Sequence, residues 1–269
     1  MTHSPPPARC SAPPTLELRG VHLQRGGAPL FAGLDLVLGE PRIGLIGHNG
    51  AGKSSLLRLL CGLDLPASGQ VLLHGQDMHA PQPGHARARA RRVGLMFQNP
   101  DDQIIYPTVQ EELALSLQPL GLARRDALAR ARQFLDERGL GAWAERPVTG
   151  LSQGQRQHLC WLALLLGGPD TLLLDEPYAS LDLPGRARLA ADIAGCAQQV
   201  IVSTHILDPV RDFPRVLWIE GGRVRADGAG RQVCAAYEAA VAQEIALELA
   251  QPGGGAPLAA AAAHPLQAV

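Results

Sequence analysis

The chain has 269 residues, 46% of them hydrophobic and 18% charged, with a formal charge of -1; this is apolar material for one substantial core with a subdomain, but hardly for two independent domains. That charge gives no general attraction to nucleic acid or anionic lipid, and five scattered cysteines (Cys10, Cys61, Cys160, Cys196, Cys234) with no Cys-x-x-Cys pair suggest neither a disulfide framework nor a zinc site, and fit a reducing cytosol. No apolar run reaches the roughly 18 residues of a bilayer span, and the proline-bearing start lacks a signal peptide's apolar core.

Residues 1–14, rich in Pro, Ser and Ala, read as a disordered tail. Residues 15 to 39 then alternate as half-buried strands do, with Leu16, Leu18, Val21 and Leu23 followed by Leu34, Leu36 and Leu38; another strand at 70 to 74 completes an expected antiparallel layer. The basic stretch 85 to 92, with Arg87, Arg89, Arg91 and Arg92, reads as a solvated face. Apolar strands recur at Ile43 to Ile46, Val93 to Phe97, Thr171 to Leu174, Val200 to Ser203 and Val216 to Ile219, separated by helical segments, as in a mainly parallel central sheet.

Two helices interrupt the alternation. One opens at Thr108 with Glu111 three residues on as a capping box, and the other covers about 124 to 138. A third begins at Ser152, where Gln155 completes a second capping box. Residues of about 99–167 therefore form an inserted α-helical subdomain within a domain at 15–250. Residues 251–269 are a low-complexity tail, and its Ala259 to Ala263 run is too short for a stable helix.

Among 24 Lys and Arg residues, Lys53 alone is a lysine. It sits in Gly47-His48-Asn49-Gly50-Ala51-Gly52-Lys53-Ser54, between a buried strand and the helix begun by Ser54 and Ser55. Three glycines let backbone N–H groups curl around an anion at a helix N-terminus. A compact three-donor ammonium then reaches β- and γ-phosphate oxygens where a planar guanidinium does not fit. The substrate class is a nucleoside triphosphate, with the Ser54 hydroxyl offered to Mg2+. Downstream, an apolar strand ends in Asp175-Glu176-Pro177, the acidic partner such a loop needs: one carboxylate for Mg2+ and a neighbour to take a proton from water.

With these residues placed, the chain resembles the nucleotide-binding subunit of ATP-binding cassette (ABC) transporters over about residues 15 to 230. Gln98 ends a strand as the family's Q-loop glutamine does. Leu151-Ser152-Gln153-Gly154-Gln155 is similar to the signature motif, Tyr178-Ala179-Ser180-Leu181-Asp182 holds the D-loop, and Ser203-Thr204-His205 ends in the switch histidine. The resemblance implies the α/β P-loop NTPase fold of ABC ATPases, with ATP and Mg2+ bound. It also implies two subunits, identical or related, sandwiching two ATP molecules. Lys53 and the loop from Gly47 to Ser55 would bind phosphate. Ser152, Gln153, Gly154, Gln155 and Asp182 would meet the nucleotide of the facing subunit, and Ser54, Gln98 and Asp175 would hold Mg2+. Glu176 would act as general base, and His205 and Lys53 would balance charge on the transferring group. Two positions depart from the family pattern: Gln153 stands where Gly is commonest, and Arg25 stands where an aromatic ring usually stacks on adenine.

The segment Asn99-Pro100-Asp101-Asp102-Gln103-Ile104-Ile105-Tyr106-Pro107-Thr108-Val109 is similar to the ATPases of energy-coupling factor (ECF) importers of vitamins and metals. Arg42 to Gly47, Ser152 to Gln157 and Leu181-Asp182-Leu183-Pro184 look most like the biotin-importer ATPase in that group; cobalt and nickel importers share the Asn-Pro-Asp segment. This resemblance implies a peripheral protein on the cytoplasmic face of the cell membrane, with a transmembrane T component and a substrate-capturing S component as partners. Asp101 and Asp102 are either a seat for a basic coupling helix or the end of a polar turn. An ABC ATPase acting on nucleic acid and a P-loop kinase are the other readings. The first lacks a coiled-coil insertion or zinc module here, and the second leaves Ser152 to Gln155 and His205 without a role.

Overall fold

The computed structural model describes residues 15–80 and 84–250; the tails expected at 1–14 and 251–269, with the Ala259 to Ala263 turn, lie outside them. Alternating apolar residues place Leu16–Arg25 (β1) and Ala28–Leu38 (β2) in an antiparallel pair with Leu16 opposite Leu38. Leu16, Leu18, Val21 and Leu23 face inward with Phe31, Leu36 and Leu38, an alternation broken once by a register shift between Leu18 and Val21. On the other side of β1 lies Ser68–Leu73 (β4), antiparallel, and Gln76–Asp77 (β5) pairs with β4 at the edge.

The second sheet contains Arg42–Ile46 (β3), Val93–Met96 (β6), Thr171–Asp175 (β7), Gln199–Ser203 (β8), Arg215–Glu220 (β9) and Arg223–Gly228 (β10), in the order β10-β9-β3-β8-β7-β6. All neighbours are parallel except β10 and β9. The parallel strands β3, β6, β7, β8 and β9 are largely apolar because both faces are covered, whereas the antiparallel edge strand β10 is polar and partly exposed. In β7, Leu173 joins the core shared with β1, β2 and the helix Lys53–Leu60 (α1), while Leu172 and Leu174 join the opposite one. That opposite core is filled by Trp161 of Gln153–Gly167 (α5), Leu189 of Leu183–Gly195 (α6) and Val233 of Gly230–Ala250 (α7).

Val109–Leu115 (α3) and Arg124–Asp136 (α4) pack with α5 around Leu113, Phe134, Leu135 and Leu159, a third cluster. The capping at Thr108 differs from expectation. Its Oγ1 accepts from the Glu111 N–H, but the Glu111 carboxylate takes the Thr108 hydroxyl at 2.9 Å rather than a backbone N–H. The basic stretch folds as His85–Ala90 (α2); Arg87, Arg91 and Arg92 are exposed as expected and Arg89 is half-buried, while Arg87 donates to the Pro119 carbonyl and Arg89 to that of Met78, both at 3.0 Å. Among the described residues no helix is long and apolar enough to cross a membrane.

Candidate nucleotide-binding site

The site gathers at the carboxyl ends of three adjacent parallel strands, β3, β8 and β7, the place where open α/β sheets take ligands. From β3 the chain enters the glycine loop. Gly47 has φ +141, and a Cβ there would stand 2.1 Å from the Ile219 carbonyl oxygen of β9, so only glycine lets the loop leave the sheet this closely. Gly50 and Gly52 have φ +80 and +108. His48, Asn49 and Gly50 form the exposed tip; Ala51, Gly52 and Lys53 are buried, Ser54 is exposed and Ser55 half-buried.

Lys53 opens α1 and is 5% exposed. Its Nζ donates to the carbonyls of Gly47 at 2.7 Å and His48 at 3.1 Å, and lies 4.0 Å from Glu176 Oε1. Burial pulls its pKa below the usual lysine value, against the opposing pull of the Glu176 and Asp175 charges.

Asp175 ends β7, and the buried Ser203 hydroxyl of β8 donates to its Oδ1 at 2.9 Å. Glu176 follows with φ +48, a left-handed conformation uncommon for a residue with a Cβ, held by its N–H to the Ser203 carbonyl at 2.9 Å. Its Oε2 accepts the His205 backbone N–H at 3.2 Å and lies 2.7 Å from His205 Nδ1. The Thr204 N–H to Leu45 carbonyl bond at 3.0 Å keeps the His205 turn against the base of the glycine loop. Lys53, Asp175, Glu176 and His205 are thus brought together by strand order alone.

Ser54, Gln98 and Asp175 line one cleft of about 570 Å3 together with Gln153; this is within the range of small-ligand sites. Hydroxyl, amide and carboxylate oxygens suit Mg2+, which keeps several waters and leans on substrate phosphates instead of an all-protein cage. Among the described residues no group of three or more His, Cys, Asp or Glu is placed to hold a metal.

Ser152, Gly154, Gln155 and Asp182 line a different cleft, of about 560 Å3. The capping box is formed as expected, with Ser152 Oγ accepting from Gln155 N–H at 3.3 Å and Ser152 N–H donating to Gln155 Oε1 at 3.0 Å. Asp182 caps α6 by accepting the Gly185 N–H at 2.8 Å. The two clefts adjoin at Ser180, which lines both, and Gln153 is the residue of the Leu151 to Gln155 segment that lines the first.

Arg25 forms an ion pair with Asp64 at 2.5 Å, and Arg58 grips the same carboxylate. Asp101 lies 2.8 Å from Arg156 Nε in the first turn of α5, which ties the end of the Gln98 strand to the signature helix, while Asp102 lines the first cleft. Sequence reasoning did not single out Glu112, a buried carboxylate accepting the N–H groups of Ile105 and Tyr106 at 2.9 and 2.8 Å; on a helix with Glu111 beside it, nothing in the sequence marks which of the two turns inward.

The ABC transporter family model matches residues 34–179. The chain is 46% identical over 226 residues to the biotin transport ATP-binding protein BioM of Rhodobacter capsulatus, covering 84% of this chain and 95% of BioM. It is 38% identical over 233 residues to the nickel import ATP-binding protein NikO of the same organism, covering 82% and 92%. With the energy-coupling factor transporter ATP-binding protein EcfA1 of Enterococcus faecalis it shares 33% over 214 residues, covering 78% and 75%. Of solved structures, cbiO1 from Clostridium perfringens, part of the ABC transporter complex cbiONQ, has the same fold: TM-score 0.70 at 24% identity, over 87% of this chain and 95% of that one. The chain belongs to the ABC transporter family, as an ATP-hydrolysing subunit of the energy-coupling factor type.

Proposed function

We propose that this chain is the motor of an ECF-type importer whose cargo is biotin, working as a dimer that closes on ATP and reopens on hydrolysis. The observation that carries the dimer is the separation of the two half-sites. Ser152, Gly154, Gln155 and Asp182 line a cleft that meets that of Ser54, Gln98 and Asp175 only at Ser180, which supports a triphosphate completed by a facing subunit.

In this reading the glycine loop and Lys53 hold the triphosphate. Glu176, aligned by His205, takes the proton of the attacking water, and Lys53 and His205 balance the charge that develops on the transferring group. Ser54, Gln98 and Asp175 would hold Mg2+, which when bound neutralises phosphate charge. The second subunit is this chain or a related one, and both sit on the cytoplasmic face of the membrane against the T component, with a separate S component holding cargo.

The 46% identity to BioM supports biotin, and that to NikO keeps nickel as the rival. Co-expression with the membrane partners, followed by uptake of radiolabelled biotin, nickel and cobalt, tests the cargo. ATP-dependent biotin uptake abolished by Glu176→Gln is the expected result, and uptake of a metal with none of biotin would reverse the assignment. The nucleic-acid reading rested on the arginine cluster, and the internal bonds of Arg87 and Arg89 weigh against it.

A further inference from the structure

His48 is the second residue of the phosphate loop, and its two ends meet different parts of the molecule. Its carbonyl accepts the Ala51 N–H at 3.2 Å and Lys53 Nζ at 3.1 Å. Its imidazole is met by the C-terminal helix: the ring centroid is 5.6 Å from that of Tyr237, and Nε2 is 3.6 Å from Glu244 Oε2. Tyr237 and Glu244 are two helical turns apart on α7 and so share one face. Tyr237 is set edge-on against Trp218 of β9 at 5.2 Å, and the Arg225 guanidinium covers Trp218 at 4.4 Å. Val233 and Cys234 bury the start of α7 in the core. The helix is thereby anchored at its base, and its later turns are carried out to the loop.

We propose that Tyr237 and Glu244 are positioning residues for ATP: by holding the His48 side chain they fix the peptide whose carbonyl holds Lys53, so that the C-terminal helix sets the affinity of the phosphate loop. The physical reason is the loop's composition. His48 and Asn49 lie between Gly47 and Gly50, and glycine-flanked backbone has much conformational freedom to lose when it wraps an anion. A side chain already clamped removes part of that loss before the ligand arrives. Linkage makes the effect mutual, with bound nucleotide tightening α7 on the loop. The inference rests on the nucleotide reading of the site.

The size of the effect is bounded by the contacts. His48 and Glu244 side chains are 49% and 61% exposed, and an exposed pair of that kind changes an equilibrium constant by about threefold. A ring pair contributes up to about tenfold.

The test is equilibrium binding of the Mg2+ complex of β,γ-imido-ATP to the full chain and to Glu244→Gln, Tyr237→Leu, His48→Ala and the two double variants. Expected are Kd increases of about threefold for Glu244→Gln and about fivefold for Tyr237→Leu. In the His48→Ala background both increases should vanish, because there is then no side chain to hold. A merely structural role would weaken binding equally in both backgrounds, and that result, or unchanged Kd in the single variants, overturns the proposal. If Tyr237→Leu fails to fold, the cycle of Glu244→Gln with His48→Ala, two surface positions, decides alone. Failure of the nucleotide reading itself is recognised separately, as no binding by the unaltered chain.

Discussion

Glu176 Oε2 receives two hydrogen-bonding groups of one residue, the His205 backbone N–H at 3.2 Å and Nδ1 at 2.7 Å. The carboxylate proposed as the base is therefore aimed by the strand end beside it, and its other oxygen lies 4.0 Å from the Lys53 ammonium. Glu176→Gln keeps an acceptor for the His205 N–H but loses the basic oxygen. Phosphate release should slow by about 10²–10⁴, while ATP now holds a stable dimer on size exclusion. Turnover near that of the unaltered chain would remove Glu176 from the role of base.

Much of this arrangement was legible in the sequence because it is local. A strand, a glycine loop and a helix in succession, or Asp175-Glu176 after Thr171-Leu172-Leu173-Leu174, need no knowledge of the rest of the fold. Contacts between distant segments were not legible. Arg25 turns to Asp64, Asp101 to Arg156, and His48 to Tyr237 and Glu244; in each case the partner is set by how sheets and helices pack, which no spacing announces. The arginines of α2 show the same limit. Alternation with small residues reads as solvated, and Arg87, Arg91 and Arg92 are exposed, but the carbonyls that Arg87 and Arg89 find on other segments could not be read from it.

The signature half-site makes a separate prediction. Ser152 is exposed at the start of α5, where its hydroxyl and the helix N-terminus can face an anion. Ser152→Arg places a bulky side chain there without touching Lys53. Nucleotide should still bind each separate chain with Kd within about twofold of the parent, because distant sites act independently, but cooperative hydrolysis and dimer closure should be lost. Unchanged cooperativity in ATPase assays would mean that the signature does not complete a facing site.

Gly47 is a test of the loop's geometry apart from its chemistry. Gly47→Ala combines a left-handed-side φ of +141 with a Cβ 2.1 Å from the Ile219 oxygen. Strain and overpacking together should destabilise the fold by about 3 kcal/mol. Urea unfolding reads this directly; parent-like stability would show that β9 and the loop are not packed as closely as described.

Lys53 links the site to stability through its proton. Burial holds its folded pKa below the 10.5 of a solvated lysine. Between those two values the unfolded chain binds more protons than the folded one, so folding grows more favourable as pH rises through that window. Below it both states are protonated, and the cost of the buried ammonium is felt in full. The difference in unfolding free energy between the unaltered chain and Lys53→Met should therefore move in favour of the unaltered chain as pH is raised towards 10.5. The slope is assigned to Lys53 because the comparison cancels groups common to both proteins. Two parallel curves would show that the ammonium is as well solvated in the folded chain as in the unfolded one. Lys53→Met should also lose the rise in Tm that Mg-ATP gives the unaltered chain, since binding to the folded state alone is what raises it.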